Sequence, residues 1–270
     1  MPIDDALVRH LVDEAFPEWR ALPLTRVEPW GTDNAIYRLG DELAVRVPRR
    51  EGATPEDEKL HEWLPRVAPQ LPVEVPLPVA RAGSLSVVTW IEGETPLGRT
   101  VEPDELVELL RSLRRCDPAG GPQPGARRGD PLLTRNLRVQ EALQHLDVPG
   151  AHELWERACA DQPWDRAPVW LHGDLDARNV LVRGGRLTGV IDWACMGVGD
   201  PAVDVMVGFK LLDADGRARF RAALEIDDAT WLRAEGWALS QALLALHFYT
   251  LETNATLVRE AERWLVELAL

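Results

Sequence analysis

The stretch LHGDLDARNVLV, residues 171–182, and its companion VIDW, residues 190–193, decide the fold and the chemistry that this sequence predicts. A carboxylate at Asp174 is followed by an amide at Asn179, and a second carboxylate, Asp192, comes after a Gly-Gly turn. Apolar runs flank these positions, which predicts short β-strands joined by a tight turn. Such a hairpin brings Asn179 and Asp192 to the same end of a small ribbon.

The spacing H-x-D-x-x-x-x-N followed by I-D-W suits metal-assisted phosphoryl transfer. Asp174 is placed to accept or orient a hydroxyl proton, while Asn179 and Asp192 offer oxygen ligands to a hard divalent cation. Each aspartate alone is equally well explained as a turn or strand-end residue. Their combination between apolar strands favours catalysis. His172 is interpreted as a packed, hydrogen-bonded structural residue rather than a proton shuttle.

Composition indicates a globular chain and narrows the class of partner. The 270 residues are 46% hydrophobic and 27% charged, with a formal net charge of −14. That charge argues against a nucleic-acid partner, because phosphate binding needs a basic surface. It favours a cationic substrate, although acidity that serves only solubility explains it equally well. Lysine occurs only at positions 59 and 210, so a role for a basic side chain falls to arginine.

Membrane and export signals are not expected. No run of about 18 apolar residues occurs, which excludes a conventional transmembrane helix. The acidic amino terminus, MPIDDALVRH, lacks the basic and then apolar pattern of a signal peptide. Cys116, Cys159 and Cys195 lie far apart and form no metal-ligand spacing or disulfide framework. These features predict a cytoplasmic protein.

The hydrophobic pattern predicts an α+β fold with a small β-rich amino-terminal lobe of residues 1–91 and a larger helical lobe of residues 92–270. In the first lobe it predicts helices and strands at 3–16, 24–28, 34–39, 42–47, 55–68 and 85–90. In the second it predicts helices from 103, near 135–147 and 150–161, and through most of the chain after 201. The Pro- and Gly-rich segment 118–131 has two interpretations, a substrate-facing flap or a solvated connection, and the connection is favoured.

These motifs together resemble the aminoglycoside phosphotransferase family, which is related to the eukaryotic-type protein kinases. HGD followed by an asparagine, and then IDW, resemble the His-Arg-Asp and Asp-Phe-Gly triplets of kinases. GDPAVD at 199–204 and WLPRVAPQLP at 63–72 are also similar to segments of the family. The likeness extends from about residue 24 to residue 205 and is weakest in the last part of the chain.

The resemblance implies a two-lobed kinase-like fold with a nucleotide in the cleft. By it, Asp174 is the catalytic base, and Asn179 and Asp192 hold Mg²⁺. Asp204 then braces the loop by accepting backbone N–H bonds. Asp200 is assigned either the same duty or contact with the substrate.

One position departs from the family pattern. The family usually carries a lysine on the third strand, paired with a glutamate on the next helix, but LAVRVP places Arg46 there. Arginine stays cationic and binds phosphate oxygens as a fork, so we expect Arg46 to contact the nucleotide. Glu58 and Glu62 are both candidates for its partner, with a slight preference for Glu58.

The nucleotide is expected to contact two further parts of the first lobe. Backbone amides in the small-residue loop from Gly31 to Asn34 are candidates for phosphate contacts, with an ordinary turn as the alternative. The base is expected to receive backbone hydrogen bonds near Thr89, Trp90 and Ile91. Backbone recognition leaves no side-chain signature, so ATP and GTP remain equal alternatives.

The predicted function is transfer of the γ-phosphoryl group of ATP or GTP to a hydroxyl of a small-molecule acceptor. The acceptor is expected to lie on the large lobe, against candidate wall residues Trp237, His247, Tyr249 and Asn254. The family suggests an antibiotic, such as an aminoglycoside or another hydroxylated natural product. A metabolite such as choline, homoserine or a sugar is the alternative acceptor.

Two other functions are less well supported by the sequence. A non-catalytic, pseudokinase-like regulator usually lacks the base or a metal ligand, and all three residues are present here. A protein kinase needs a long activation segment, and the stretch after Asp192 is short. The oligomeric state leaves no signature in the sequence.

Overall fold

A computed structural model of the chain describes residues 4–28, 34–49, 55–160 and 163–270, with only the backbone described at 55–57. These residues form a mixed fold, in which an antiparallel sheet precedes a mostly helical part. The predicted α+β fold class is therefore confirmed.

The chain divides into two compact units. The first comprises residues 1–69 and 74–92, and the second comprises residues 70–73 and 93–270. The functions that the sequence assigned to residues 1–91 and 92–270 remain predictions.

A five-stranded antiparallel sheet is the centre of the first unit. Its strands are β1 (Leu24–Arg26), β2 (Asn34–Leu39), β3 (Leu43–Pro48), β4 (Pro78–Ala82) and β5 (Leu85–Thr89). Their spatial order is β1-β2-β3-β5-β4. The sequence predicted every strand of this sheet except β4.

One face of this sheet is covered by helix α1 (Asp5–Ala15). The apolar side chains come from alternate residues of the strands and from one stripe of the helix. This follows from geometry, because side chains alternate between the two faces of a strand and recur every three or four residues on a helix. The core consists of Val8, Val12, Phe16, Ala35, Tyr37, Leu39, Val45, Val47, Leu85 and Val87. Because side chains alternate along β3, Arg46 points to the opposite face of the sheet.

Helix α2 (Pro55–Val67) follows in the first unit. Proline in its first turn is favourable, because that position has no intrahelical N–H bond to lose. Its buried side chains are Leu60, Leu64 and Val67. Their spacing places them on one stripe of the helix.

The second unit is built mainly from helices. They are α3 (Pro103–Arg115), α4 (Asn136–His145), α5 (Ala151–Ala160), α6 (Ala202–Val205), α7 (Val207–Leu211), α8 (Ala214–Ala223), α9 (Asp228–Phe248) and α10 (Leu251–Glu267). Helix α9 contacts α4, α5, α6, α7 and α10, and it is buried around most of its circumference. Within the described parts of the chain, no helix has the length and apolar character needed to cross a membrane.

Two small antiparallel ribbons accompany these helices. In one, β6 (Val169–Leu171) pairs with β9 (Gly197–Gly199). In the other, β7 (Val180–Arg183) pairs with β8 (Arg186–Val190). The turn at residues 184–185 has both glycines at positive φ, 60° and 80°, as a two-residue hairpin turn of this kind requires.

The segment between α3 and α4 packs tightly against β9. The Val198 N–H donates to the Pro122 carbonyl over 2.9 Å. A Cβ on Gly197 would lie 2.4 Å from the backbone nitrogen of Pro124, so only glycine permits this approach. The interpretation of residues 118–131 as a solvated connection is therefore wrong. The sequence does not reveal this packing, because the partners are more than 70 positions apart.

Replacing Gly197 with alanine is expected to lower the free energy of unfolding by about 3 kcal/mol, since backbone atoms must shift to admit the Cβ. Urea denaturation of the purified protein measures this change. Gly98→Ala is the control, because Gly98 lies at φ 70° with no atom within 4 Å of a new Cβ. That variant should lose only about 1–2 kcal/mol, the usual cost of a left-handed conformation. Equal losses would contradict the tight contact at Gly197.

Candidate active site

The segment from His172 to Asn179, which we call the HGD loop, joins β6 to β7. The Asn179 N–H donates to the Asp176 carbonyl over 3.0 Å. The side-chain Nδ2 of Asn179 donates to the Asp174 carbonyl over 2.7 Å and lies 3.5 Å from Asp174 Oδ2. The structure thus brings Asp174 and Asn179 together. The amide oxygen of Asn179, Oδ1, remains available to bind a cation.

Asp192 follows β8, beside the same end of the ribbon. The N–H of its neighbour Ile191 donates to the Asn179 carbonyl over 2.8 Å. Asp192 has φ 59° and ψ 63°, a left-handed conformation that costs a non-glycine residue about 1–3 kcal/mol and recurs at functional sites. The hairpin therefore places Asn179 opposite Ile191, the residue before Asp192.

His172 connects the HGD loop to the residue before Asp192. Its Nδ1 accepts a hydrogen bond from the Asp174 N–H over 3.1 Å, and its Nε2 donates to the Ile191 carbonyl over 3.0 Å. The ring is fully buried and packs edge-on against Trp193, with centroids 4.7 Å apart. Both ring nitrogens of His172 are hydrogen-bonded to backbone groups, as in a residue that holds a loop in place.

Asp204, in α6, anchors the start of the HGD loop. Its two carboxylate oxygens accept the N–H groups of His172 and Gly173 over 2.7 and 2.8 Å. Burial raises the pKa of Asp204, and the two backbone N–H bonds oppose that rise. Gly173 has φ 88°, and a Cβ there would lie 2.6 Å from the Cys195 carbonyl oxygen. The loop therefore needs both the carboxylate and the glycine.

Asp200 is placed differently from Asp204. It forms an ion pair with Arg233, with Oδ2 and Nε 2.7 Å apart, and it accepts the Ala202 N–H over 2.9 Å. These contacts hold the start of α6. Contact with a substrate remains a prediction for this residue.

Arg128, from the segment between α3 and α4, lies directly against Asp174. Its Nη2 is 2.9 Å from Asp174 Oδ1, and the two side chains are only 11% and 22% exposed. Burial by itself raises the pKa of Asp174, but the positive charges around the carboxylate, of which Arg128 is the largest contributor, together outweigh burial. Lys210 and Arg178 act in the same direction, and the pKa falls to about 2.

Trp237, a predicted wall residue, lies under two guanidinium groups. The guanidinium carbon of Arg128 is 5.9 Å from the ring centroid, and that of Arg135 is 5.0 Å from it. Arg135 Nε also donates to Ser240 Oγ over 2.6 Å. Burial, reinforced by the neighbouring Arg128, lowers the pKa of Arg135 to about 9. Trp237 itself is almost fully buried.

A buried charged network supports the HGD loop from the other side. Arg178 Nη2 lies 2.5 Å from Asp176 Oδ2, and Lys210 Nζ lies 3.8 Å from the same oxygen. Lys210 also donates to Gln241 Oε1 over 2.6 Å and sits 4.3 Å above the Trp264 ring. Burial lowers the pKa of Lys210 to about 8.

The pKa of Arg178 is affected by both predicted carboxylates. Burial lowers this pKa, but the charge and hydrogen bonds of Asp176, together with other carboxylates, raise it. The carboxylates of Asp174 and Asp192 add to the same rise, so both act on this guanidinium.

The remaining predicted wall residues lie at the end of α9 and the start of α10. The His247 ring is 5.2 Å from that of His145. Tyr249 is the residue after α9, and Asn254 accepts the Leu257 N–H over 3.1 Å inside α10. None of the contacts described for these three residues reaches Asp174. Their role in substrate binding remains a prediction.

In the first unit, Arg46 lies in a row of polar residues across the sheet. It is paired in register with Ser86 of β5, which is paired in turn with Arg81 of β4. Directly opposed residues share one face of a sheet. Glu58 contacts this row, with Oε1 3.6 Å from Arg81 Nη1, whereas Glu62 lies 3.4 Å from Arg66. The pairing of Arg46 with a glutamate remains a prediction.

Some backbone N–H groups of the residues predicted to bind the nucleotide base already form hydrogen bonds within the protein. The Thr89 N–H donates to the Leu77 carbonyl over 2.9 Å, and the Trp90 N–H donates to the Glu42 carbonyl over 2.7 Å. Contact between the base and the protein backbone would therefore have to use other groups of this segment, such as those of Ile91. Asn34 begins β2 opposite Pro48, and Gly31 lies outside the described residues.

The donor atoms at the end of the ribbon suit Mg²⁺. Asn179 supplies an amide oxygen and Asp192 a carboxylate, and hard divalent cations prefer oxygen ligands. Within the described residues, no group of three or more His, Cys, Asp or Glu side chains is arranged to hold a metal. A cation held by this pair therefore needs further oxygens from water or a substrate.

Sequence reasoning missed Arg128, Arg135, Arg81 and the structural network around Lys210. Arg128 contacts Asp174 across 46 positions, and Arg135 contacts Ser240 across 105. The only available signal was the Arg127-Arg128 pair in a segment rich in glycine and proline. It does not indicate a contact partner.

Comparison with known proteins identifies the family to which the chain belongs. A model of the phosphotransferase enzyme family (APH) matches residues 25–237. Because the match covers more than half of the chain, the chain belongs to this family. The family that the sequence motifs indicated is thereby confirmed.

The individual proteins that resemble this chain share low sequence identity with it. An uncharacterized protein of Bacillus subtilis (strain 168), YcbJ, is 29% identical over 111 residues, which are 38% of this chain and 35% of that protein. The macrolide 2′-phosphotransferase MphH from Brachybacterium faecium superimposes with a TM-score of 0.69 at 19% identity, over 97% of both chains. Macrolide 2′-phosphotransferase type I gives 0.70 at 21% identity, over 96% of this chain and 98% of that one.

A third solved structure is APH(2″)-IIIa in complex with GDP and kanamycin. Its TM-score is 0.69 at 16% identity, over 98% of this chain and 99% of that one. At these identities, the likeness to the solved structures establishes a shared fold.

Arg128→Gln is expected to raise the pKa of Asp174, because burial then acts without its strongest opposing charge. NMR titration of the aspartate carboxyl carbons measures the shift. The ion pair stabilises the fold above the ordinary carboxyl pKa of 3.8, and this contribution is lost as the pH falls towards about 2. The stability difference between the wild type and the variant should shrink over that range.

Arg219→Gln is the control for the change in net charge, since the exposed Arg219 contacts Asp104 rather than the HGD loop. The pKa of Asp174 should stay near 2 in this variant. The same value in Arg128→Gln would contradict the assigned cause.

Proposed function

We propose that this protein transfers the γ-phosphoryl group of ATP or GTP to a hydroxyl of a small molecule, with Mg²⁺. The proposal rests on one observation: at one end of the β7–β8 ribbon, Asn179 is hydrogen-bonded to Asp174 and lies opposite the residue before Asp192. Family membership supports the reaction class.

Asp174 is the proposed base. Its carboxylate orients the acceptor hydroxyl and takes up the proton as the oxygen attacks the γ-phosphorus. The new O–P bond forms while the bond from the γ-phosphorus to the bridging oxygen breaks, and the nucleoside diphosphate departs with that oxygen. Because the pKa of Asp174 is low, its main contribution is to position the hydroxyl.

Asn179 and Asp192 are the proposed metal ligands. When bound, Mg²⁺ would offset the negative charge of the phosphates. The Nδ2–H bond from Asn179 to the Asp174 carbonyl holds the amide beside the base. His172 and Asp204 keep the HGD loop in place through the bonds described above, so their proposed role is structural.

The nucleotide is the proposed phosphoryl donor, and Arg46 is proposed to contact its phosphates. Glu58, on the same face as the Arg46 row, is the proposed partner on α2. The APH(2″)-IIIa structure contains GDP, which supports a purine nucleotide as the donor. Gly31, Asn34, Thr89, Trp90 and Ile91 complete the proposed contacts.

The acceptor is proposed to be a hydroxylated natural product of the antibiotic class. Support comes from the fold shared with macrolide phosphotransferases and with the kanamycin complex. The wall residues proposed from the sequence are Asp200, Trp237, His247, Tyr249 and Asn254. Trp237 is the one that the described contacts link to Asp174, through Arg128.

Asp174→Ala should reduce phosphoryl transfer, and any slow acceptor-independent hydrolysis of the nucleotide, by about 10²–10⁴-fold, the usual contribution of a positioned base. Nucleotide affinity should be little changed, because Asp174 is not a proposed nucleotide ligand. Asp192→Ala should lose activity together with affinity for the Mg²⁺–nucleotide complex. Coupled detection of the nucleoside diphosphate, with a panel of macrolides, aminoglycosides and small metabolites, measures both effects.

Asp215→Asn is the matched control, because Asp215 is an exposed carboxylate in the first turn of α8. It should keep full activity. If the wild type neither modified any acceptor nor hydrolysed the nucleotide with Mg²⁺, the enzymatic proposal would be wrong and a nucleotide-binding regulator would be favoured.

A further inference from the structure

Arg128 and Arg135, which we call the arginine pair, place two guanidinium groups on one buried tryptophan beside the proposed base. Their guanidinium carbons lie 5.9 and 5.0 Å from the Trp237 centroid. Arg128 also contacts Asp174, the proposed base that orients the acceptor hydroxyl. The pair therefore lies where the acceptor would have to bind.

The positive charge of the arginine pair is poorly compensated. In the part of the chain that the structure describes, Arg135 forms no ion pair, and its polar contact is the neutral hydroxyl of Ser240. Nε and Nη1 of Arg128 are buried without a hydrogen-bond partner among the described residues. Among the described residues, Asp174, which pairs with Arg128, is thus the one carboxylate in contact with the arginine pair.

Neighbouring residues increase this imbalance. Arg127 and Arg138 act electrostatically on Arg135, while Arg127 is already paired with Asp130. Asp174 and Asp130 are each paired with one arginine, and Arg135 is left without a carboxylate partner among the described residues, in a chain whose net charge is −14.

Buried charges without partners cost several kcal/mol, so sites of this kind recur where a ligand supplies the missing charge. A guanidinium forms paired hydrogen bonds with carboxylate or phosphate oxygens, and it also stacks on aromatic rings. Both properties match the arrangement on Trp237. An amino group on the acceptor would instead be repelled at this position.

We propose that the arginine pair binds an anionic group of the acceptor, a carboxylate or a phosphate, so that the substrate is a hydroxylated acid rather than a polyamine. This inference rests on the proposed phosphoryl transfer. Arg128 exchanges Asp174 for the acceptor anion, which frees a carboxylate oxygen of Asp174 for the hydroxyl. Arg135, the second guanidinium on Trp237, binds the same anion.

The test uses probes that share one ring and differ in charge: glucuronate, glucose 6-phosphate, glucose and glucosamine. Inorganic phosphate is the fifth probe. Binding to the full chain, with Mg²⁺ and a non-hydrolysable nucleotide analogue present, is measured by calorimetry. At least one of the two anionic sugars should bind about tenfold more tightly than glucose, which corresponds to roughly 1.4 kcal/mol. Glucosamine should bind no more tightly than glucose.

Arg135→Gln should remove this preference, and Arg128→Gln should do the same. Arg128→Lys should retain part of it, because the charge is kept while the fork is lost. Arg219→Gln, which changes the net charge equally, should leave the preference unchanged. Thermal unfolding of each variant shows whether a lost preference merely reflects a lost fold.

Several outcomes would overturn the inference. They are glucosamine binding best, no probe binding, and an anion preference that survives Arg135→Gln in a folded protein. Anions that bind only without the nucleotide, together with weaker nucleotide binding in both arginine variants, would assign the pair to the donor phosphates instead.

Nucleotide hydrolysis, measured on the same protein preparations with ATP or GTP in place of the analogue, separates this inference from the proposed function. If Mg²⁺-dependent hydrolysis persists and is lost in Asp174→Ala, the phosphotransferase proposal stands even where the anion preference is absent. If hydrolysis and nucleotide binding are both absent, the phosphotransferase proposal fails, whatever the probes do.

Discussion

The carboxylate of Asp204 is the constraint on which the site depends. It accepts the N–H groups of two successive residues, His172 and Gly173, and so orients the start of the HGD loop. Backbone N–H groups buried in a loop must find acceptors, and a buried carboxylate is a strong one. His172 then carries the constraint further, because its ring bonds both the Asp174 N–H and the Ile191 carbonyl. One anchored loop thereby holds the residues around Asp174 and Asp192 in a common frame.

Charge in this protein has to be considered locally. The chain is strongly acidic as a whole, which by itself favours a cationic partner. Beside Asp174, however, lie the two guanidinium groups of the arginine pair, and Arg135 forms no ion pair among the described residues. Short-range interactions in a partly buried site exceed those with distant surface charges, which solvent and salt screen. The local arrangement is therefore the better guide to the acceptor.

Much of the architecture was predictable from local sequence. Alternation in NAIYRL and LAVRVP predicted β2 and β3, and helical spacing predicted α1, α2 and α3 close to their observed bounds. The ribbon that carries Asn179 and Asp192 followed from two apolar runs around a Gly-Gly turn. These predictions succeeded because hydrophobic period and turn chemistry act over a few residues. Strand β4 was missed because it begins at a proline, Pro78, and follows other prolines that conceal the strand pattern.

The sequence by itself determined the fold class and the family, because these depend on short motifs with a local geometry. The tertiary structure alone decided that residues 118–131 pack against β9, that Arg128 lies on Asp174, and that Arg128 and Arg135 share Trp237. Those contacts join positions dozens of residues apart, and each guanidinium had many possible partners along the chain. Only the packing of the segment between α3 and α4 against α9 and the HGD loop selects among them.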